Sequence, residues 1–421
     1  MRASRRNAVW ALAFSALLLL GATLGLLFEV EQGRYFWNIR PFEWFCGDLG
    51  VRHAEIGLAH RGINSFRIWN CDIVVPGYTG MSRPDKEPPP GAGGQPVHAY
   101  PAWHTCFCWF YGWISMPALE NAAKALFALA VVFLFFEFRR VDAEYPSAVS
   151  LAVLASASIP AAQCWYWMNY GVLIVALFAL VERCRASGKD IMAGLLWALA
   201  MIKPQMAILA FWPLFFAKAY RTIAVAVLAC LAGTCFTAWQ VHESPVELLL
   251  QLPQIGAPYF GAHPMYFIAR HLQGGLAMKL FSFAWMGLCF VSCGWLCFRM
   301  RGNKEWWYRW APVALIVPIW NYSQSHDKAI LAIWFAVVAS EIMRSGHLRR
   351  SIWTVYAAMS GIVLASRPTL LLLQFRGIVS PEAVGFVPDV LFASWIGVSL
   401  AFLLCVSGKD QKRENVQCSL N

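Results

Sequence analysis

The sequence predicts an all-α fold, a polytopic transmembrane helical bundle, and three observations carry that expectation. Apolar residues make up 59 % of the 421 residues and charged residues only 14 %, against roughly 45–50 % and about 25 % in soluble proteins. The chain holds 21 Trp, 29 Phe and 13 Tyr, side chains suited to a bilayer interface. Its apolar runs recur along the whole length and are longer than barrel strands, so backbone hydrogen bonding within a bilayer falls to helices. A disordered chain is excluded, because disorder needs a polar, charged composition.

Residues 1–421 read as a single membrane domain. Arg2, Arg5 and Arg6 precede an apolar run over 8–28. That run is too long for the core of a cleaved signal, and Phe28-Glu29 offers no small-residue cleavage site. It is expected to be an uncleaved first span with a cytoplasmic N-terminus. Residues 29–100 form the longest polar stretch, read as an extracytoplasmic loop. Within it, residues 48–60 place Leu49, Ile56 and Ala59 on one helical face, which predicts a short helix on the membrane surface. Pro88-Pro89-Pro90-Gly91 forbids regular structure. Residues 101–116 are apolar, aromatic and short; they fit a re-entrant or tilted segment and are not counted as a full crossing. The bundle extends over 101–407, with further apolar segments near 122–138, 148–162, 165–180, 191–202, 206–216, 223–239, 276–298, 311–320, 329–342, 352–365 and 390–406. Residues 408–421 form a cytoplasmic tail. Several segments fall short of the ~20 residues that a perpendicular helix needs. Short, broken helices in a membrane line cavities or pack wholly within protein.

Charge sets the orientation. The formal net charge is +11, and its basic clusters lie at Arg139-Arg140, Arg183/Arg185/Lys189, Lys218/Arg221, Arg299/Arg301/Lys304/Arg309, Arg344/Arg349/Arg350 and Lys409/Lys412/Arg413. With these in the cytoplasm, the segments alternate to give about 12 crossings. Loops 29–100, 240–275, 322–328 and 366–389 then face the other side. The expected location is a cell (inner or plasma) membrane. No zinc spacing or RNA-binding motif accompanies the basic charge, so no nucleic acid is expected as a partner. Most of the 13 Cys lie in apolar runs as small core residues, and only Cys46 and Cys71 are placed to pair in an oxidising compartment.

Three polar features stand out, all on the non-cytoplasmic side. Asp48, just beyond the first span, fits a solvated acid or a helix cap first, and a carboxylate facing a lipid-linked head group second. Lys203-Pro204-Gln205 breaks an apolar segment. Its ammonium suits a phosphate or snorkels to the interface. Ser325-His326-Asp327-Lys328 joins two short spans, and His326 beside Asp327 fits an acid/base or a structural pair. No Walker loop, GxGxxG, HExxH or GxSxG motif occurs in convincing context, and no metal site is expected. A transporter or lipid-linked-sugar flippase remains the alternative, although no inverted repeat is visible.

The order of motifs resembles glycosyltransferase family 87. These are GT-C-type, mannosyltransferase-like integral membrane proteins that use polyprenyl-phosphate sugars. The resemblance rests on the early Asp48, on Tyr100-Pro101, on Asn169-Tyr170-Gly171, and above all on Ala193-Gly194-Leu195-Leu196 followed by Ile202-Lys203-Pro204-Gln205. It covers about residues 40–330. Two departures stand against the family pattern: Trp167-Met168-Asn169-Tyr170 where Gly-Gln-x-Asn is usual, and Tyr100-Pro101-Ala102 for Tyr-Pro-Pro. The resemblance implies a GT-C bundle and hexose transfer from a polyprenyl-phosphate donor to a lipid-linked or glycan acceptor, by inverting direct displacement. It implies no cofactor, the membrane lipid-linked sugar being a substrate. It implies Asp48 and His326 as catalytic, Lys203 on the donor phosphate, and Tyr100, Asn169, Gln205 and Asp327 as substrate contacts.

Overall fold

The computed structural model describes residues 47–80, 94–97, 100–139, 169–256, 275–320, 325–344, 347–375, 378 and 390–406. The expected first span, the run over 148–162, Cys46 and the tail lie outside them. Cys71 is a free thiol.

The chain is mostly helical. Helices α1 (Gly47–Ala59) and α2 (Ser65–Trp69) precede two short strands, β1 (Gly77–Gly80) and β2 (Gly94–Val97). The strands pair in parallel with Gly77 opposite Gly94. Then come α3 (Ala102–Phe107), a 3-10 turn over Trp109–Trp113, and α4 (Met116–Arg139). After 169 follow α5 (Gly171–Ala186), α6 (Asp190–Ala200), α7 (Pro204–Ala207), a 3-10 turn (Ile208–Ala210) and α8 (Phe211–Phe216). The rest comprises α9 (Tyr220–Val241), α10 (Pro245–Gly256), α11 (Gly275–Met300), α12 (Trp306–Trp320), a 3-10 turn (Ser325–Ile330), α13 (Leu331–Arg344), α14 (His347–Phe375) and α15 (Val390–Val406).

Among the described residues three helices are long and apolar enough to cross a membrane: Met116–Arg139, Tyr220–Val241 and Leu280–Met300. Their outward faces explain the composition. In α4, Ala123, Phe127, Ala130, Leu134 and Phe138 are buried at three- and four-residue spacing. Leu126, Leu129, Val132 and Phe136 are exposed on the opposite side. In α11, Leu280, Phe283, Leu288, Val291 and Trp295 are likewise exposed. Apolar side chains at such density facing outward need lipid around them, since water would leave a patch far larger than soluble monomers show. By contrast, α12 and α13 are buried nearly all round, as befits helices enclosed by other helices.

Helix α1 departs from the expected membrane-surface helix. Leu49, Val51, Arg52, Ala54, Glu55, Ile56, Leu58 and Ala59 are all buried. Burial on every side places the helix inside the protein. Its edges are fastened by His53 to the Ile114 carbonyl (3.1 Å) and His60 to the Trp109 carbonyl (3.1 Å). The segment over 101–116, expected to be re-entrant or tilted, forms the short α3 followed by the 3-10 turn.

The helices run between two poles. At one pole, ion pairs tie the basic clusters together: Glu137–Arg183 (3.7 Å), Glu182–Arg185 (3.1 Å), Glu182–Arg309 (2.9 Å), Glu305–Arg344 (2.9 Å) and Glu341–Arg349 (2.9 Å). The opposite pole holds the start of α5, the α6–α7 break, the end of α12 and the 3-10 turn before α13. Gly188, with φ +71°, ends α5 at the basic pole; its left-handed backbone lets the Lys189 N–H return to the Cys184 carbonyl (2.8 Å). The last helices are joined by hydrogen bonds inside the bundle. The Trp334 indole donates to the Tyr356 hydroxyl (2.8 Å), Tyr356 meets Ser399, and Trp395 donates to Ser360 (2.7 Å). Such bonds hold helices together where lipid supplies no hydrophobic drive.

Close approach of α6 and α9 depends on Gly194. A Cβ there would lie 2.6 Å from the Val225 Cβ and 2.7 Å from the Thr222 carbonyl. Gly194→Val is therefore expected to cost about 1–3 kcal/mol through overpacking, read as a fall in the thermal unfolding midpoint. An unchanged midpoint would show that the two helices separate freely.

Candidate functional site

The site begins with a broken helix. Pro204 disfavours α conformation at the residue before it, and Lys203 takes φ −123°, ψ 74°. The chain then re-enters a helix with Pro204 in its first turn, where the missing N–H costs nothing. A break leaves carbonyls without helical partners. Three tryptophans, one on α6 itself and two from other stretches, donate to carbonyls around the break. Trp103 donates to the Met201 carbonyl (2.8 Å), Trp197 to Ala207 (3.0 Å) and Trp320 to Gln205 (2.7 Å). The break is thus a built feature, pinned on three sides.

Lys203 is turned into this interior and is only 2 % exposed. Its ammonium donates to Asn169 Oδ1 (2.6 Å) and to Asp327 Oδ1. Asp327 is 1 % exposed and Asn169 equally so. Asn169 Oδ1 also accepts the Gly171 N–H (3.2 Å), which fixes the amide at the mouth of α5. Three residues 34 and 124 positions away from one another through Lys203 therefore meet in one buried triad. A buried ammonium requires such a counter-charge. Of its three N–H donors, Asn169 and Asp327 take two among the described residues.

A second polar group lies beside the triad, continuous with it through Tyr170. Arg52 and Glu55 form a buried ion pair (2.5 Å) one turn into α1. The Arg52 guanidinium sits 3.7 Å from the centre of the Tyr100 ring. His104 on α3 lies 4.9 Å from Tyr100 and 6.2 Å from Tyr170, centroid to centroid. The Tyr170 hydroxyl donates to that of Tyr111 (3.4 Å). Burial, aided by the Arg52 charge, pushes His104 well below the ordinary histidine range, so its imidazole is neutral.

The expected site residues fall into this frame as follows. Lys203, Asn169 and Asp327 come together directly. Tyr100 joins the Arg52 group instead of the triad. Gln205 is half-buried in α7 and offers its backbone carbonyl to Trp320. The backbone of Asp48 lies in the first turn of α1, four residues before Arg52 and so on the same helical face. The backbone of His326 lies in the 3-10 turn beside Asp327. The side chains of Asp48 and His326 lie outside the described residues. Among the described residues no group of three or more His, Cys, Asp or Glu is placed to hold a metal ion.

Sequence reasoning passed over Arg52 and His104. Arg52 and Glu55, at i and i+3 within an otherwise apolar helix, were a signal of paired charge. Nothing in spacing alone marked His104.

No family model, no curated protein and no solved structure matches the chain.

Proposed function

We propose that the protein is an integral-membrane hexosyltransferase of the kind that glycosyltransferase family 87 represents. It transfers a mannose-like hexose from a polyprenyl-phosphate donor to a glycan or glycolipid acceptor, at the pole opposite the basic one. The observation that carries this reading is the buried triad Asn169–Lys203–Asp327 at a deliberately broken helix. A fixed cation at that place suits a phosphate leaving group, whose charge grows in the transition state.

From Asn169 to Glu182 the chain rises about 20 Å along α5, whereas α4 and α9 extend roughly 33–36 Å at 1.5 Å per residue. By that measure the triad lies about 2–4 Å beyond the middle of those helices, on the side away from the basic pole. In this reading the three helices long and apolar enough to cross a membrane belong to a GT-C bundle of about 12 crossings, with the shorter apolar segments supplying the rest.

In the proposed reaction the Asp48 carboxylate takes the proton of the acceptor hydroxyl. The hydroxyl oxygen attacks the anomeric carbon from the face opposite the phosphate. The bond from that carbon to the phosphate oxygen breaks, its electron pair stays on polyprenyl phosphate, and the configuration inverts. The remaining N–H of Lys203 donates to the departing phosphate, while Asp327 and Asn169 hold the ammonium in place. His326, in the turn that carries Asp327, orients the donor or the acceptor.

Purified protein in lipid nanodiscs, given a panel of polyprenyl-phosphate sugars, tests the reading: sugar transfer or donor binding is expected. In a K203M/D327N background, where both charges are gone, donor affinity should fall about ten- to a hundredfold, the worth of a charged hydrogen bond. Lys203→Arg should keep part of the activity, since it keeps the charge in a different geometry. Undiminished donor affinity without Lys203 would return it to a purely structural ion pair.

A further inference from the structure

His104 is completely buried, yet neither ring nitrogen has a hydrogen-bond partner among the described residues. An unsatisfied buried polar group costs about 1–3 kcal/mol, and this ring leaves two. A neutral imidazole offers one donor and one acceptor. A hydroxyl group can accept from the N–H at one edge of the ring or donate to the bare nitrogen at the other, whereas an anion can only accept. Its surroundings suit the same chemistry. The Tyr100 and Tyr170 rings flank the imidazole, and the Arg52–Glu55 pair lies on the adjacent helix. Tyr100 is half-buried. Tyr170 follows Asn169 directly, which puts His104 next to the Lys203 triad.

We infer that His104 is a sugar-recognition residue: it hydrogen-bonds a hydroxyl of the hexose whose phosphate is held at Lys203. This rests on the hexosyltransferase reading, and it adds that selection of the sugar-bearing lipid over the bare lipid phosphate is made by a neutral imidazole. The covering aromatic rings are apolar faces against which a pyranose ring can lie.

The test compares binding of polyprenyl-phosphate mannose and bare polyprenyl phosphate to the protein in nanodiscs. Wild type is expected to prefer the sugar-bearing lipid. In His104→Phe that preference should drop about tenfold, the worth of one to two hydrogen bonds, while the bare lipid phosphate binds as before. His104→Gln, which keeps a donor and an acceptor, should restore part of it. A preference unchanged in His104→Phe overturns the inference and leaves the Lys203 reading standing. An equal loss for both lipids overturns it too, because His104 would then serve only the fold. Wild type that binds neither lipid overturns the hexosyltransferase reading, and this inference with it. Should His104→Phe fail to fold, ring ¹⁵N shifts of His104 in the wild type decide: they should move on adding the mannose lipid and not on adding the bare phosphate, and identical shifts with both would sink the idea.

Discussion

Asp327→Asn is expected to destabilise the protein by about 3–5 kcal/mol, the cost of leaving a buried charge without its partner. Lys203 and Asp327 are 2 % and 1 % exposed, so water cannot replace the lost carboxylate. Asn169 alone would remain to the ammonium, and an amide oxygen carries only a partial charge. Thermal or denaturant unfolding in a fixed detergent would show the loss. The double variant K203M/D327N should recover most of it, because removing both charges of a buried pair is often close to neutral. A single Asp327→Asn variant as stable as wild type would mean that the ammonium already has another counter-charge. The comparison separates what the pair contributes to the fold from what Lys203 contributes to a ligand.

Asp48→Asn should reduce sugar transfer about 10²–10⁴-fold, which is the usual loss when a positioned general base is removed. The amide keeps the shape of the carboxylate and cannot take up a proton. Donor binding and thermal stability should stay at wild-type values, since the first turn of α1 keeps its length and polarity. His326→Ala should cost less, because orienting a substrate is a smaller contribution than moving its proton. Two other acids near the site are already engaged: Glu55 by Arg52 and Asp327 by Lys203. Wild-type turnover in Asp48→Asn would nevertheless transfer the base role to one of them, Glu55 first, since it sits two turns along the same helix.

Much of the architecture was legible in the residues. The apolar composition and the outward stripes of α4 and α11 follow from periodicity, because lipid demands apolar surface wherever a helix meets it. Basic clusters marked one pole, and their ion pairs now join Glu137 to Arg183 and Glu182 to Arg309 across helices far apart in sequence. Lys203-Pro204 announced its own break, since proline acts on its neighbours through local sterics. Even the turn carrying Asp327 was readable as a polar interruption between two apolar runs.

Partnership was not readable. That Lys203 meets Asp327 and Asn169 depends on how α5, α6 and the 3-10 turn before α13 pack. Sequence spacing carries no information about contacts made across 124 positions. Helix α1 shows the same limit. Its pattern of Leu49, Ile56 and Ala59 matches a surface helix, but α3, the 3-10 turn and the strands cover its other faces and bury Arg52 and Glu55. The three indole donors at the break come from Trp103, Trp197 and Trp320, and among 21 tryptophans nothing local distinguishes them. The sequence by itself determined a helical membrane protein, its basic pole and its broken helix, because composition and proline act locally. Only the tertiary structure decided which charges pair and left His104 buried without a partner, because burial is a property of the whole packing and not of any single stretch of chain.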